Sequence, residues 1–373
     1  MSFYSARTTS WQDRLLAVNW SVIGLFLAIG LVGVVAQYSV AGESFAPWAW
    51  RHVLRLVVAV GVMILIANLS LRTVYRSAYV VYAVLALALV AVEVAGSINM
   101  GAQRWLDLGV VKFQPSELMR IGIVLALARY YQGVEASHVS RLRHIIVPLL
   151  IICIPAFLVF RQPDLGTAIL LVVIGFSILF LAGVSVRYFM LAGIGLAASF
   201  PIVWTRLQNY QQNRILTFFE PERDPLGAGY HIIQSKIGIG SGGLMGKGLG
   251  DGTQSRLNFL PEKHTDFIFT IFAEETGFVG SLILIGLFVA LLISLFFVAR
   301  ELKTHFGRLL VAGFGVSLFL YFFVNLAMVM GLAPVVGVPL PFVSYGGTSL
   351  LTFSIAMGLI LCVDRQASLD LGR

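Results

Sequence analysis

The chain has 373 residues, of which 58% are hydrophobic and only 12% charged, and its formal net charge is +8. An ordinary soluble domain has about a quarter of its residues charged, and a mean hydropathy of +0.89 leaves too little polar surface to keep a sphere of this size dispersed in water. Soluble, disordered, coiled-coil and disulfide-stapled secreted classes are excluded, and the basic surplus reads as flanks facing anionic membrane lipid rather than nucleic acid.

Windows of about 20 apolar residues predict ten membrane spans, near 18–38, 53–70, 76–96, 116–131, 145–161, 164–183, 186–204, 267–299, 309–333 and 342–363. The eighth is too long for one perpendicular crossing and has to tilt or project from the bilayer. The first is long and nine follow it, so it reads as an anchor rather than a cleaved leader. Lys and Arg set the orientation. With the N-terminus inside, the inner segments hold thirteen: Arg7, Arg14, Arg72, Arg76, Arg129, Arg141, Arg143, Arg187, Arg300, Lys303, Arg308, Arg365 and Arg373. The short outer loops hold four, Arg51, Arg104, Lys112 and Arg161. Both termini are therefore expected in the cytoplasm, and residues 205–265 form one large external loop of a single all-α domain. Cys153 and Cys362 fall in apolar runs, and no HExxH or CxxC spacing occurs.

Ionisable groups at or within a span are expensive and face a cavity or a partner. Four stretches carry them, all toward the expected outer side. The first runs from Arg104 and Trp105 through Lys112 to Gln114, Pro115, Ser116 and Glu117. It suits an interfacial segment followed by a helix start, where Pro and an acid satisfy the free N–H end. Glu117 and Arg120, three apart on one helix face, can pair; a pair inside the apolar boundary stabilises poorly and fits a polar cavity better. The second is the turn Gln162-Pro163-Asp164-Leu165-Gly166-Thr167, where Asp164 either caps the sixth span or lines the same cavity as Glu117. The third is Pro261-Glu262-Lys263-His264-Thr265-Asp266, running straight into the eighth span. Asp266 is either its N-cap or a carboxylate whose pKa is raised by hydrocarbon and lowered by His264 or Lys263, as suits a general base. Glu274 and Glu275, two turns deeper, need partners. The fourth, from Leu332 to Ser349, holds three prolines and paired glycines. It reads as irregular backbone at membrane depth, which requires burial in protein or a watery space; a rigid turn is the alternative.

Gly238-Ile239-Gly240-Ser241-Gly242-Gly243 fits G-x-G-x-x-G, but no βαβ context surrounds it. It reads as flexible external loop, without nucleotide binding.

Taken together, RWLDLG with FQPSE at 104–117, QPDLGT at 162–167, PEKHTDFIF with AEE at 261–275 and PLPFVSYGG at 339–347 resemble the SEDS family (shape, elongation, division and sporulation). The order of the motifs and the ten-span layout match over nearly the whole chain. GTQSRLNFLPEKHTDF and VVGVPLPFVSYGG are more similar to the elongation branch, the RodA proteins, than to the division branch. The resemblance implies a peptidoglycan glycosyltransferase of the bacterial plasma membrane, acting on its outer face during elongation and shape maintenance. Its substrate would be lipid II, a disaccharide-pentapeptide on undecaprenyl pyrophosphate, and its partner a class B penicillin-binding protein. By motif position Asp266 matches the family's essential loop aspartate and Glu117 its QPSE glutamate, with Trp105, Lys112, Asp164 and His264 carried over less directly.

Such a polymerase needs a carboxylate to take the proton of the attacking 4-hydroxyl, for which Asp266 is the candidate. It also needs cations for the departing pyrophosphate, drawn from Lys112, Arg104, Lys263 and Arg214 or from a divalent ion such as Mg or Mn. Two rival readings stand beside it. A lipid II flippase also needs polar residues in a membrane cavity, but it should offer a polar path from the inner side. A non-catalytic scaffold for a penicillin-binding protein would leave Asp266 dispensable.

Overall fold

Ten helices account for the ten expected spans. The computed structural model describes residues 19–99, 102–107, 109, 112–225, 227–257, 259–260 and 262–371; Arg7, Arg14, Arg373 and Pro261 lie outside the described residues. The spans are α1 (Trp20–Val40), α2 (Ala49–Ala67), α3 (Leu71–Ala95), α4 (Pro115–Gln132), α5 (Arg143–Arg161), α6 (Leu165–Leu181), α7 (Val186–Arg206), α11 (Ile268–Glu301), α12 (His305–Val329) and α13 (Gly347–Leu371). Eight are long and apolar enough to cross a membrane by length and composition. The other two have physical reasons for falling short: α6 has 17 residues, and α4 carries Glu117, Arg120 and Arg129.

Side-chain caps set several starts: Asn19 accepts from the Val22 N–H on α1, Ser70 from Thr73 on α3, Asp164 from Thr167 on α6 and Thr304 from Gly307 on α12. The centre of the bundle is α4, which packs on α3, α5, α6, α12 and α13. It is buried on every side, so its charges meet protein rather than lipid. At the other extreme, α7 buries none of its residues fully; Tyr188 and Phe189 near its start pack on the core, and the rest presents a largely exposed apolar surface.

Three features depart from the expectations. Three short strands, β1 (Ser97–Asn99), β2 (Ala102–Asp107) and β3 (Lys112–Phe113), form an antiparallel ribbon, which pairs Ser97 with Trp105 and Asp107 with Lys112. The span from 205 to 265 is not open loop, for it folds into α8 (Asn209–Phe219), α9 (Ala228–Ser241) and the short α10 (Thr253–Arg256). Most of the glycine-rich run therefore lies in the last turns of α9. The long helix α11 is not continuous, for it breaks at Gly277 (φ 67°, ψ −162°). The loop after α9 threads this break. Lys247 and Gly248 N–H donate to the Glu274 and Glu275 carbonyls (3.1 and 3.0 Å), and Phe278 and Val279 N–H donate to the Gly243 and Leu244 carbonyls (2.9 and 3.1 Å). The groups freed by the break are thus paired again. A Cβ on Gly246 or Gly277 would run into the facing backbone, so glycine is required on both sides.

Candidate active site

The four polar stretches meet at one end of the bundle, where α1 and α12 finish and α4, α6, α11 and α13 begin. Arg104 on β2 clamps the turn before α6: its Nε donates to the Gln162 carbonyl at 3.2 Å, its Nη2 to Pro163, and its Nη1 lies 4.0 Å from Asp164. Gln114 donates to the Asp164 carboxylate (3.2 Å) and Tyr210 of α8 to the Pro163 carbonyl (3.0 Å). Gly166 lets Val336 pack directly on the α6 start. Gly337, next along, faces Asp266, and a Cβ there would lie 3.4 Å from Oδ2.

The segment between α12 and α13 is the irregular backbone expected at depth, buried from Leu340 to Ser344. Its polar groups are satisfied by isolated polar side chains of the spans and by the 264–266 stretch. Buried Asn325 donates to the Asp266 carbonyl (2.8 Å) and the Val338 carbonyl (2.7 Å). Gln37 donates to the His264 and Val343 carbonyls (3.0 and 3.3 Å), and His52 Nε2 lies 3.1 Å from the Phe342 carbonyl. The Ser344 hydroxyl donates to the Thr265 carbonyl (2.6 Å), and Tyr345 N–H donates to His264 (2.9 Å). The backbone of 264–266 is thereby pinned from α1, α12 and the re-entrant segment together. The His264 ring stacks on Trp48 (5.0 Å, 11°).

Asp266 is not a cap. The residue before α11 is Phe267, which makes no side-chain cap bond. Among the described residues no donor bonds the Asp266 carboxylate, which is half-buried. Burial pushes this carboxyl up from 3.8 to about 7; Glu262 reinforces the rise, Arg214 opposes it and Glu117 adds to it. Burial also lowers His264, with Glu262 opposing and Lys263 assisting, so its ring is held toward the neutral form.

The remaining expected site residues separate by what they touch. Glu117 and Arg120 form the expected pair at 2.9 Å, and both are buried. Arg120 lies between the rings of Tyr321 (4.1 Å) and Phe353 (4.0 Å), so this pair sits in the packing of α4, α12 and α13, and Glu117 acts on Asp266 through its charge. Asp164 is both cap and partner of Gln114. Lys263 is buried, donating to the Ser255 carbonyl at 2.7 Å, and burial lowers its ammonium against the pull of Glu275. Arg214 is exposed on α8, 5.9 Å from the Tyr210 ring. Trp105 is half-buried on β2; Lys112 is placed by its backbone in β3, and its side chain lies outside the described residues.

Glu274 and Glu275 have the partners their depth demanded. Glu274 accepts from Lys247 Nζ (2.6 Å), Thr253 N–H and hydroxyl (3.0 and 2.6 Å) and Gln254 N–H (3.1 Å). Glu275 accepts from the Ser39 hydroxyl. Gln37 and Asn325 were missed as site supports, although a lone amide inside an apolar span is itself a signal.

Residues 11–369 match the family of cell cycle proteins that groups FtsW, RodA and SpoVE. The chain is 43% identical over 358 residues to the peptidoglycan glycosyltransferase MrdB of Escherichia coli K12, covering 96% of this chain and 95% of that one. It resembles a chain in a solved peptidoglycan synthase complex described as coordinating polymerization and crosslinking, with a TM-score of 0.84 at 33% identity over 94% of this chain and 99% of the other. The rod shape determining protein RodA of Thermus thermophilus superposes with a TM-score of 0.69 at 31% identity, over 94% and 98% of the two chains.

Proposed function

This chain belongs to the SEDS family and is a bacterial, multi-pass peptidoglycan glycosyltransferase of the MrdB/RodA kind, serving rod shape, and from that premise we propose that it polymerises lipid II with Asp266 as general base. The carboxylate removes the proton from the 4-hydroxyl of one sugar as that oxygen attacks the anomeric carbon of the next. The C–O bond to the pyrophosphate breaks on the opposite face, in a single displacement. A base poised near working pH suits this step, and the raised carboxyl of Asp266, without a donor among the described residues and on a pinned backbone, is the observation that supports it most.

The departing pyrophosphate needs positive charge. Arg104 is committed to the 162–164 turn and Lys263 to Ser255, so the role is assigned to Arg214 and, by its motif position alone, to Lys112. Glu117 tunes Asp266, Asp164 holds Gln114 and the α6 start, and His264 fixes the approach to Asp266. Trp105, on the ribbon, would meet the sugar or the lipid. Among the described residues no three His, Cys, Asp or Glu side chains converge as a metal site. A Mg or Mn ion would draw its ligands mainly from substrate and water, where it would neutralise pyrophosphate charge, and no step here depends on it.

In this proposal the site end of the bundle faces outward and both termini lie in the cytoplasm, as the thirteen-to-four distribution of basic residues implies. A class B penicillin-binding protein is the partner that crosslinks the strands. The test uses purified protein in proteoliposomes with fluorescent lipid II, alone and with that partner. Glycan polymer is expected from the parent and is lost in Asp266→Asn. Lipid II transfer between leaflets without polymer would instead make the chain a flippase, and polymer only from the partner would make it a scaffold. Impermeant labelling of Glu222→Cys, but not of Ser368→Cys, in intact spheroplasts checks the orientation.

A further inference from the structure

One ionised side chain at depth has no role in the site above. Arg55 lies on α2 six residues past its first residue, about 9 Å along the axis at 1.5 Å per residue. It is half-buried, its Nη1 is buried without a hydrogen-bond partner, and among the described residues no carboxylate pairs with it. A cation at such depth marks a partner or a polar ligand. The guanidinium lies 3.9 Å from the centre of the Tyr345 ring, and a Cβ on Gly347 would lie 3.5 Å from its Nε.

Gly347 opens α13, a helix of 25 residues. The N–H groups of Gly347, Thr348 and Ser349 have no acceptor within that helix, while Leu350 N–H donates to Gly346 at 3.0 Å. The Ser349 side chain stands in the same first turn, 3.5 Å from where a Gly346 Cβ would be. It is only 5% exposed and its hydroxyl has no partner. A guanidinium, a helix N-terminus and an unpaired buried hydroxyl thus come together at the start of α13, where Gly346 and Gly347 carry no side chains. All three favour an anion with several acceptor oxygens.

We infer that Arg55, the first turn of α13 and Ser349 form a binding site for the phosphate group of a lipid. The lipid source follows from the surroundings. Leu54, Val57 and Val58, beside Arg55 on α2, are 50%, 63% and 54% exposed on a span whose outward face is apolar, so a phosphate reaching Arg55 has hydrocarbon against those residues. Arg51, one turn nearer the helix start and exposed, adds a second cation at the headgroup level. The phosphate belongs to a glycerophospholipid or to a polyprenyl diphosphate. The site stands independently of Asp266 as base, because it is read by binding rather than by polymerisation.

The test is lipid retention by the full chain in detergent, counted by native mass spectrometry during titration with phosphatidylglycerol, undecaprenyl diphosphate or, as the phosphate-free control, dioleoylglycerol. Arg55→Gln is expected to weaken retention of a phosphate lipid at least about tenfold, with no change for dioleoylglycerol. Ser349→Ala removes only an unpartnered hydroxyl, so it keeps the fold, and it is expected to weaken the same lipid severalfold. Loss confined to undecaprenyl diphosphate identifies the polyprenyl source. Loss confined to phosphatidylglycerol identifies the phospholipid, and loss of both identifies a general lipid-phosphate site. Unchanged retention of both phosphate lipids in Ser349→Ala and in a folded Arg55→Gln overturns the inference.

Discussion

Asp266 and Glu274 lie eight residues apart beside the same helix, and their environments are opposite. Glu274 is fully buried and gathers donors from Lys247, Thr253 and Gln254, so its carboxylate fastens the threaded loop to α11. Among the described residues Asp266 takes no such donor; its backbone carbonyl is held by Asn325 while its carboxyl lies beside Gly337. A carboxylate surrounded by donors is a strong structural link and a poor base, because protonation has to break those bonds. A carboxylate positioned through its backbone and left without donors keeps its lone pairs for substrate. On the proposed assignment the same segment separates fastening from chemistry, and each acid can be tested for having the other's role.

The widest separation is expected at Asp266. Asp266→Asn should reduce lipid II polymerisation by about 10²–10⁴-fold, the usual worth of a general base. Its unfolding temperature at pH 8 should not fall below the parent's. The folded-state pKa is raised, so the stability contributed by the protonated acid is complete below the unfolded value and is lost as pH rises through about 7; a neutral amide escapes that loss. A fully active Asp266→Asn would move the chemistry elsewhere.

The Glu117–Arg120 pair should behave in the fastening manner. Glu117→Ala leaves Arg120, 1% exposed, without its counter-charge and should cost about 3–5 kcal/mol of stability, seen as a large drop in unfolding temperature. Activity should fall too, because one of the charges acting on Asp266 is gone. Unchanged stability would mean that water reaches the pair.

A smaller effect is expected at Asn325. Asn325→Leu leaves the Asp266 and Val338 carbonyls unpaired, at about 1–3 kcal/mol for a buried unsatisfied group. Polymerisation should fall more than stability does, roughly tenfold, since Asp266 loses its anchor; equal losses would make Asn325 merely structural. Smallest is Tyr210→Phe, which removes the hydrogen bonds of that hydroxyl to the Pro163 carbonyl and from Gln211 Nε2 and should cost about 1–2 kcal/mol, read as a slight lowering of unfolding temperature with polymerisation nearly intact.

Much of this was legible in the residue order, for identifiable reasons. The ten spans announce themselves because an apolar run of that length has no other stable place. Asp266 is conspicuous because a carboxylate at the edge of such a run is expensive. The ribbon at 97–113 was hidden by strands of three, six and two residues, too short for alternation to register. The break at Gly277 was hidden because apolar residues continue on both sides and one glycine does not by itself end a helix. Only the threaded loop, brought from some 30 residues upstream, makes the break stable. Lys263 read as a free cation because nothing in its neighbours shows that its ammonium turns inward to Ser255.

The pH dependence of polymerisation is the most direct measurement of whether Asp266 works as a base. If Asp266 is the base, its ionised form is the active one, so kcat/KM for lipid II should fall as pH drops through about 7, tenfold for each unit well below it, and level off above. The residual activity of Asp266→Asn should lack that limb. A rate that stays constant from pH 8 down to pH 5, in a parent protein that remains folded throughout, would contradict the assignment.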